Sequence, residues 1–171
     1  MRITIGKNIS GPLVATAFLL SILSCSFNTE VKEIPMYTPN EPIEKVEGTL
    51  EEVKKGTDAV ARFHDLLNQQ KFDDLFSWID SKSQLSHDPV AFSIRMNRIA
   101  RELGKVEKSE LQRHSVFNKS ATKEIRLEYV TKFSKDNDPR PRYELFFFEL
   151  YPSGDTKLLE YRNGIDNEPR Y

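Results

Sequence analysis

The chain of 171 residues has little that could support metal, redox or nucleotide chemistry, since it contains one cysteine and only three histidines. A single cysteine excludes a disulfide within the chain. The sequence has no HExxH, CxxC or paired-histidine motif, no glycine-rich phosphate loop and no GxSxG elbow. These absences remove the commonest signatures of metalloenzymes, nucleotide-binding enzymes and serine hydrolases. We therefore expect no catalytic residue, no metal and no cofactor.

An excess of charge of either sign is also missing. The chain has 25 basic and 26 acidic residues, for a formal net charge of −1. No overall positive field is available to attract nucleic acid, so we expect no nucleic-acid partner. With 38% hydrophobic and 30% charged residues, the composition is typical of a globular protein. It predicts one folded domain with appendages.

The amino terminus has the layout of an export signal. Arg2 and Lys7 precede an apolar run at residues 13–23, which ends next to the small residue Ser24. The run is well short of the roughly 20 residues that a membrane-spanning helix needs. Residues 1–24 are therefore predicted to be a signal peptide.

The end of this run, Ile22-Leu23-Ser24-Cys25, resembles the lipobox of bacterial lipoproteins. In that family the cysteine becomes the first residue of the mature chain and carries fatty acyl groups such as palmitate. The resemblance implies a cell-envelope protein anchored to the membrane through Cys25. Ser26, rather than aspartate, follows the cysteine, which by the same resemblance favours the outer membrane. The alternative is an ordinary secretory signal in which Cys25 is incidental.

Residues 25–47 are predicted to be a flexible tether. Pro35, Pro39 and Pro42 interrupt a polar stretch that has neither a helical nor a strand period. About 22 flexible residues have a root-mean-square reach of roughly 25 Å. Such a tether would hold a folded domain clear of the lipid headgroups.

Residues 48–164 are predicted to be the folded domain, followed by a tail at residues 165–171. Its first half shows apolar residues at every third or fourth position, which predicts three amphipathic helices. Asp88 is a candidate N-cap for the third helix, Pro89 fits its first position and Gly104 offers a left-handed end. The predicted helices cover residues 50–70, 72–79 and 89–103.

The period changes from helical to alternating after Gly104, which predicts strands. The last two strands flank Pro152-Ser153-Gly154-Asp155, a cluster typical of a hairpin turn. Helices followed by strands joined by short turns indicate an α+β domain. In it, the N-terminal helices pack on one face of a curved, roughly four-stranded antiparallel meander. The predicted strands are residues 106–117, 124–133, 142–151 and 156–162.

The hairpin predicts which side chains face the helices. If Tyr151 lies opposite Thr156, Phe148 lies opposite Leu159, and the pattern of alternation continues from there. A loop of another length would change this register. The predicted core face carries Phe146, Phe148, Leu150, Leu159 and Tyr161.

The order of these parts resembles the cone-shaped, nuclear-transport-factor-two-like (cystatin-like) domains over roughly residues 55–162. That family includes isomerases, dehydratases and many non-enzymatic modules, so the resemblance implies a fold and a pocket beneath the sheet but no activity. The matching segments are Phe63-His64-Asp65-Leu66-Leu67, Phe76-Ser77-Trp78, Arg101-Glu102-Leu103-Gly104-Lys105-Val106, Tyr129-Val130-Thr131-Lys132-Phe133 and the hairpin that ends in Tyr161.

The candidate pocket residues under this resemblance are His64, Trp78, Tyr129 and Phe148. His64 would be a pocket base or a ligand contact, or else a half-buried histidine hydrogen-bonded to a neighbour. A pocket filled by Trp78, Phe148 and similar side chains would favour a binding module. A polar group at the base of an open pocket would favour an enzyme.

We expect a lipid-anchored, non-enzymatic binding or interaction module; the alternative is a lipid-anchored isomerase or dehydratase that uses the pocket. A ketosteroid-isomerase-like site needs a carboxylate base and a phenol or protonated acid as oxyanion donor. Tyr129, Tyr143 and Tyr161 could supply phenols, and Glu128, Glu144 and Glu149 could supply carboxylates. However, alternation places Glu128 on the face opposite Tyr129, and no aspartate lies on the apolar faces of the strands, which argues against such a site.

The sheet face away from the helices is a candidate interface. If this face were fully solvated, its side chains would be mostly polar. Instead, four apolar side chains are predicted to project from it: Leu145, Phe147, Tyr151 and Leu158. Four apolar side chains on adjacent strands form a candidate patch. The resemblance implies a homodimer there, and an envelope protein is the other partner we expect. The alternative is that the chain's own tether or tail covers the patch.

Overall fold

The computed structural model describes residues 44–165, which form an α+β domain of three helices packed against an open five-stranded antiparallel meander. The predicted fold class is confirmed. The signal peptide, Cys25, most of the predicted tether and most of the tail lie outside the described residues. The strands are β1 (Glu44–Val46), β2 (Val106–Asn118), β3 (Lys123–Phe133), β4 (Arg142–Leu150) and β5 (Thr156–Gly164). The helices are α1 (Leu50–Asn68), α2 (Phe72–Ser77) and α3 (Pro89–Glu102), with a 3-10 turn at Gln84–His87.

Each strand pairs with the next one along the chain, in the order β1-β2-β3-β4-β5. The fifth strand, β1, lies within the segment predicted to be tether. Three residues are too few to show a period, so β1 has no sequence signal of its own. Within residues 44–165, no helix is long and apolar enough to cross a membrane.

Local capping signals define the helix ends. Thr49 and Glu52 form a capping box at the start of α1, in which the Glu52 amide donates to Thr49 Oγ1 at 3.2 Å and the Thr49 amide donates to Glu52 Oε2 at 2.8 Å. Asp88 caps α3 by accepting the Ala91 amide at 2.8 Å, as predicted. Gly104 follows α3 with φ +82°, a conformation that favours glycine.

Helix α1 lies close against β3 because Gly56 has no side chain. A Cβ at this position would come within 2.8 Å of Ile125 Cδ1 and 2.9 Å of Leu127 Cδ1. Phe63 and Leu67, further along the same face of α1, are also buried. The buried stripe of the helix therefore packs directly on the sheet.

The hairpin register is partly as predicted. Phe146 lies opposite Tyr161, but Phe148 lies opposite Leu158 and not Leu159. Leu159 is an extra residue in β5, because the register shifts between Phe147 and Phe148. Such a bulge reverses the alternation on one side of it. The predictions that Leu159 faces the core opposite Phe148 and that Leu158 faces outward are therefore wrong: Leu158 is fully buried in the core cluster.

The free edge of β5 is partly covered by the segment after α2. The Leu158 amide donates to the Trp78 carbonyl at 3.2 Å, and the Asp80 amide donates to the Leu158 carbonyl at 2.8 Å. Ile79 forms a parallel bridge with Leu158. This short pairing blocks part of an edge that would otherwise be open to another strand.

The core assignment predicts a contrast between Phe148 and Arg98. Phe148 has no exposed surface, whereas Arg98 lies exposed on α3. Phe148→Ala should lower the free energy of unfolding by about 3–5 kcal/mol. Arg98→Ala should change it by no more than about 0.5 kcal/mol. Urea unfolding of the two variants measures both values, and similar losses would contradict the assignment.

Candidate functional site

Large apolar side chains fill the space between the helices and the sheet. Phe63, Phe146 and Phe148 have no exposed surface. The ring centroids of Phe63 and Phe146 are 5.1 Å apart, and Phe148 lies 5.9 Å from Phe146 and 5.5 Å from Trp78. Phe92 and Trp78 are also buried. Two of the candidate pocket residues, Trp78 and Phe148, are thus part of the packed core.

A buried polar cluster lies within this core, centred on Glu144 of β4. Glu144 has no exposed surface. Its Oε2 lies 2.8 Å from His64 Nε2 and accepts a hydrogen bond from Thr131 Oγ1 at 2.5 Å. Its Oε1 accepts a hydrogen bond from the Tyr161 hydroxyl at 2.6 Å. A buried carboxylate is tolerated when its oxygens accept hydrogen bonds in this way.

His64, the third of the four candidate pocket residues, lies on α1 and is buried. Its second ring nitrogen, Nδ1, lies 3.5 Å from Ser109 Oγ of β2. The Tyr129 ring is 6.5 Å away in an edge-on arrangement, so the two remaining candidates are neighbours. One alternative from the sequence was a half-buried histidine hydrogen-bonded to a neighbour. His64 is hydrogen-bonded, but it is buried, and its partner Glu144 lies 80 positions further along the chain.

The two tyrosines nearest Glu144 keep their protons at neutral pH. Burial raises the pKa of Tyr129 to about 12, and the charge of Glu144 adds to this effect. Burial raises the pKa of Tyr161 well above its usual value, reinforced by the charge of Glu144 and the hydrogen bond to it. Tyr161 is therefore a hydrogen-bond donor to Glu144 and not a source of phenolate.

Arg95 joins the third helix to this cluster. Its Nη2 donates to the Tyr161 carbonyl at 2.8 Å, and its guanidinium lies 5.5 Å from the centre of the Tyr161 ring. Burial lowers the pKa of Arg95. The polar residues of the inner face thus come from α1, α3 and strands β2 to β5. The pattern of residues within a single helix or strand does not predict that these side chains meet.

The sheet face away from the helices, here called the outer face, differs from its prediction. Leu145 is half-buried and Phe147 is 7% exposed, but Leu158 lies on the other side of the sheet. The hydroxyl of Tyr151 donates to Asp80 Oδ2 at 2.5 Å, so this side chain reaches past the edge of the sheet. Two of the four predicted interface residues, Leu145 and Phe147, therefore form an apolar centre on the outer face. Phe117 of β2 joins them.

Arginine side chains cover the aromatic rings of the outer face. The Arg126 guanidinium lies 4.3 Å from the centre of the Phe117 ring and 5.1 Å from that of Phe147. Arg162 lies 5.8 Å from the Phe147 ring. Such contacts are attractive, and the arginine stems bury apolar surface. A groove of about 410 Å³ runs beside them, with Arg113, Glu128 and Leu145 in its lining.

Ion pairs surround this apolar centre. Arg126 Nε lies 2.6 Å from Glu124 Oε1, and Arg113 Nη2 lies 3.0 Å from Glu128 Oε2. Lys119 Nζ lies between two carboxylates that have no exposed surface, 2.8 Å from Glu124 Oε2 and 2.7 Å from Glu149 Oε2. The outer face therefore carries charges of both signs around apolar rings.

Comparisons with known proteins do not extend this description, because no family model, no curated protein and no solved structure matches the chain. Within residues 44–165, no three side chains of the metal-ligating types lie close enough together to hold a metal ion. The function of the domain must therefore be inferred from its geometry.

The raised tyrosine pKa values predict a loss of stability at alkaline pH. A pKa near 10 in the unfolded chain and about 12 for folded Tyr129 means that the folded state holds the proton more tightly. This contribution to stability is complete below pH 10 and disappears as the pH rises from about 10 to about 12.

Urea unfolding at a series of pH values measures the decline. Tyr129→Phe, which cannot ionise, should show a shallower decline than the wild type between pH 10 and 12. An equal slope in the two proteins would show that Tyr129 titrates as it does in the unfolded chain.

Proposed function

We propose that the chain is a lipid-anchored protein of the bacterial cell envelope whose α+β domain is a non-enzymatic interaction module. The observation that carries the proposal is the contrast between the two faces of the sheet. The inner face is filled by aromatic rings and by a carboxylate whose oxygens accept three hydrogen bonds. The outer face combines Phe117, Leu145 and Phe147 with ion pairs and a groove. Partners therefore bind at the outer face.

The anchor is proposed from the sequence. Cys25 follows a short apolar run and a small residue, as the lipid-modified cysteine of a bacterial lipoprotein does, and two acyl chains suffice for stable anchoring. Ser26 favours the outer membrane. The first described strand begins at Glu44, so residues 26–43 link the anchor to the domain.

The finer assignment, a nuclear-transport-factor-two-like domain, is supported by the order of helices and meander strands. An enzyme of that type remains the weaker candidate. Glu144 and Tyr161 supply the carboxylate and the phenol that an isomerase needs, and both lie on the inner face. However, the phenol donates to the carboxylate itself at 2.6 Å, and Glu144 has no exposed surface. This arrangement stabilises the fold and leaves neither group free for a substrate.

The partner proposed for the outer face is a second copy of the chain. The sheet face measures about 20 by 30 Å from strand spacing and length, or roughly 600 Å² per copy, near the lower end for a stable interface. Both charge signs lie around the apolar centre, as in the pairs Arg113–Glu128 and Arg126–Glu124. A two-fold axis would bring arginines of one copy to glutamates of the other.

Sedimentation of the unlipidated chain beginning at Ser26 tests the interface. The wild type should sediment as a dimer at micromolar concentration, and Leu145→Glu should sediment as a folded monomer, because it adds charge to the half-buried apolar centre. Phe147→Glu should act the same way, with some loss of stability because its ring is packed under Arg126 and Arg162.

The matched control for this experiment is Ile94→Glu. Ile94 is 64% exposed on α3, on the helical side of the domain, so its change should leave the dimer intact. A wild type that is monomeric at every accessible concentration would remove the dimer. Dissociation by Ile94→Glu alone would place the interface on the helices.

The anchor has a separate test. Wild-type chain expressed in a bacterium with labelled palmitate should incorporate the label, and Cys25→Ser should abolish incorporation because no other cysteine is present. The mutant should also leave the membrane fraction. Equal labelling of both proteins would reject the lipoprotein assignment.

A further inference from the structure

A second cavity of about 410 Å³ opens where α1, the residue after α2 and the β4–β5 turn meet. Its volume lies in the range of small-molecule sites, roughly 300–1,000 Å³. It is separate from the outer face and from the Glu144 cluster. The residues of its lining that matter here are Lys55, Asp58, Arg62, Trp78, Asp155 and Lys157.

Arg62 is positioned by Trp78. Its guanidinium lies 4.7 Å from the centre of the indole ring. The indole is itself fixed, because its Nε1 donates to the Thr156 carbonyl at 2.5 Å and its ring packs against Phe148. Among residues 44–165, no carboxylate forms an ion pair with Arg62. Its charge is thus held in place by an aromatic ring and leaves N–H groups for a ligand.

The other charges of the cavity increase the positive potential there. Lys55 lies two turns before Arg62 on the same face of α1. Its partner Glu51, at 2.9 Å, has a side chain that is 76% exposed, so this pair is weak and exchangeable. Asp58 is already paired with Lys54 at 2.5 Å.

The second carboxylate of the lining, Asp155, accepts a hydrogen bond from Ser153 Oγ at 2.9 Å. The cavity therefore combines three cationic side chains with two carboxylates, so its positive charges outnumber its negative charges by one. A small anion would find more positive than negative charge in this cavity.

We propose that this cavity binds the phosphate group of a small molecule. Arg62 donates two parallel hydrogen bonds to phosphate oxygens, an arrangement for which a planar guanidinium is suited. Lys55 supplies a second positive charge, and Trp78 holds the Arg62 guanidinium in position. The phosphate comes either from a soluble phosphate ester or from a phospholipid headgroup, since the domain is proposed to be membrane-anchored.

Calorimetric titration of the unlipidated chain beginning at Ser26 with phenyl phosphate tests the soluble source. Arg62→Ala should weaken binding roughly tenfold or more, the usual effect of losing a charge-assisted pair. Arg62→Lys keeps the charge but loses the bidentate geometry, so it should also bind more weakly than the wild type. Arg98→Ala, an exposed arginine of α3 outside the cavity, should bind as the wild type does.

Sedimentation with vesicles tests the lipid source. Vesicles that contain phosphatidic acid present a phosphate monoester, and phosphatidylcholine vesicles are their control. Arg62-dependent binding to phenyl phosphate supports a soluble ester, and Arg62-dependent binding to phosphatidic acid alone supports a headgroup. Absence of binding in both arms, binding that Arg62→Ala leaves unchanged, or equal affinity for benzoate would overturn the proposal. None of these results bears on the dimer or on lipidation of Cys25.

Discussion

The hydrogen bonding of Glu144 is the constraint on which the domain depends. A charged carboxylate with no exposed surface is tolerated only when its oxygens are hydrogen-bonded, because the loss of water costs several kcal/mol. Its three partners come from α1, β3 and β5, through His64, Thr131 and Tyr161. Arg95 extends the network to α3 through the Tyr161 carbonyl. The helical layer and the strand register must therefore be correct together, since a shift of either element would leave a buried charge without its donors.

Much of the fold could be predicted from the sequence because the decisive signals are local. The Asp88 cap, the turn after Leu150 and the change of period after Gly104 each act within a few residues. The bulge in β5 could not be predicted, because Leu158 and Leu159 are the same residue type and either could fill the core position opposite Phe148. The Glu144 cluster was also missed. Alternation places Glu144 on the same face as Phe146, but the donors that permit its burial come from three other elements, α1, β3 and β5.

The outer face shows why apolar residues alone do not define an interface. The ring of Phe147 is 7% exposed although no helix packs on this side of the sheet. Arg126 and Arg162 cover it, and each also contacts a glutamate two positions earlier on its own strand. The aliphatic stems bury the ring while the charged heads stay paired. A partner on this face would therefore meet paired charges first, and those charges would set the orientation of binding more than its strength.

Arg62 and Arg126 both contact aromatic rings, and the difference between them separates a structural role from a binding role. Arg126 is paired with Glu124 at 2.6 Å, and this carboxylate has no exposed surface. Removing Arg126 would leave a buried charge with one partner fewer, so the fold requires it. Arg62 forms no ion pair with a carboxylate in the described part of the chain, and it lies exposed over the rim of a cavity. Removing Arg62 would leave no buried carboxylate without a partner. A positioned cation that no buried charge requires is available for recognition, which is why the cavity beside α1 and the β4–β5 turn, and not the Glu144 cluster, is the site proposed for a small ligand.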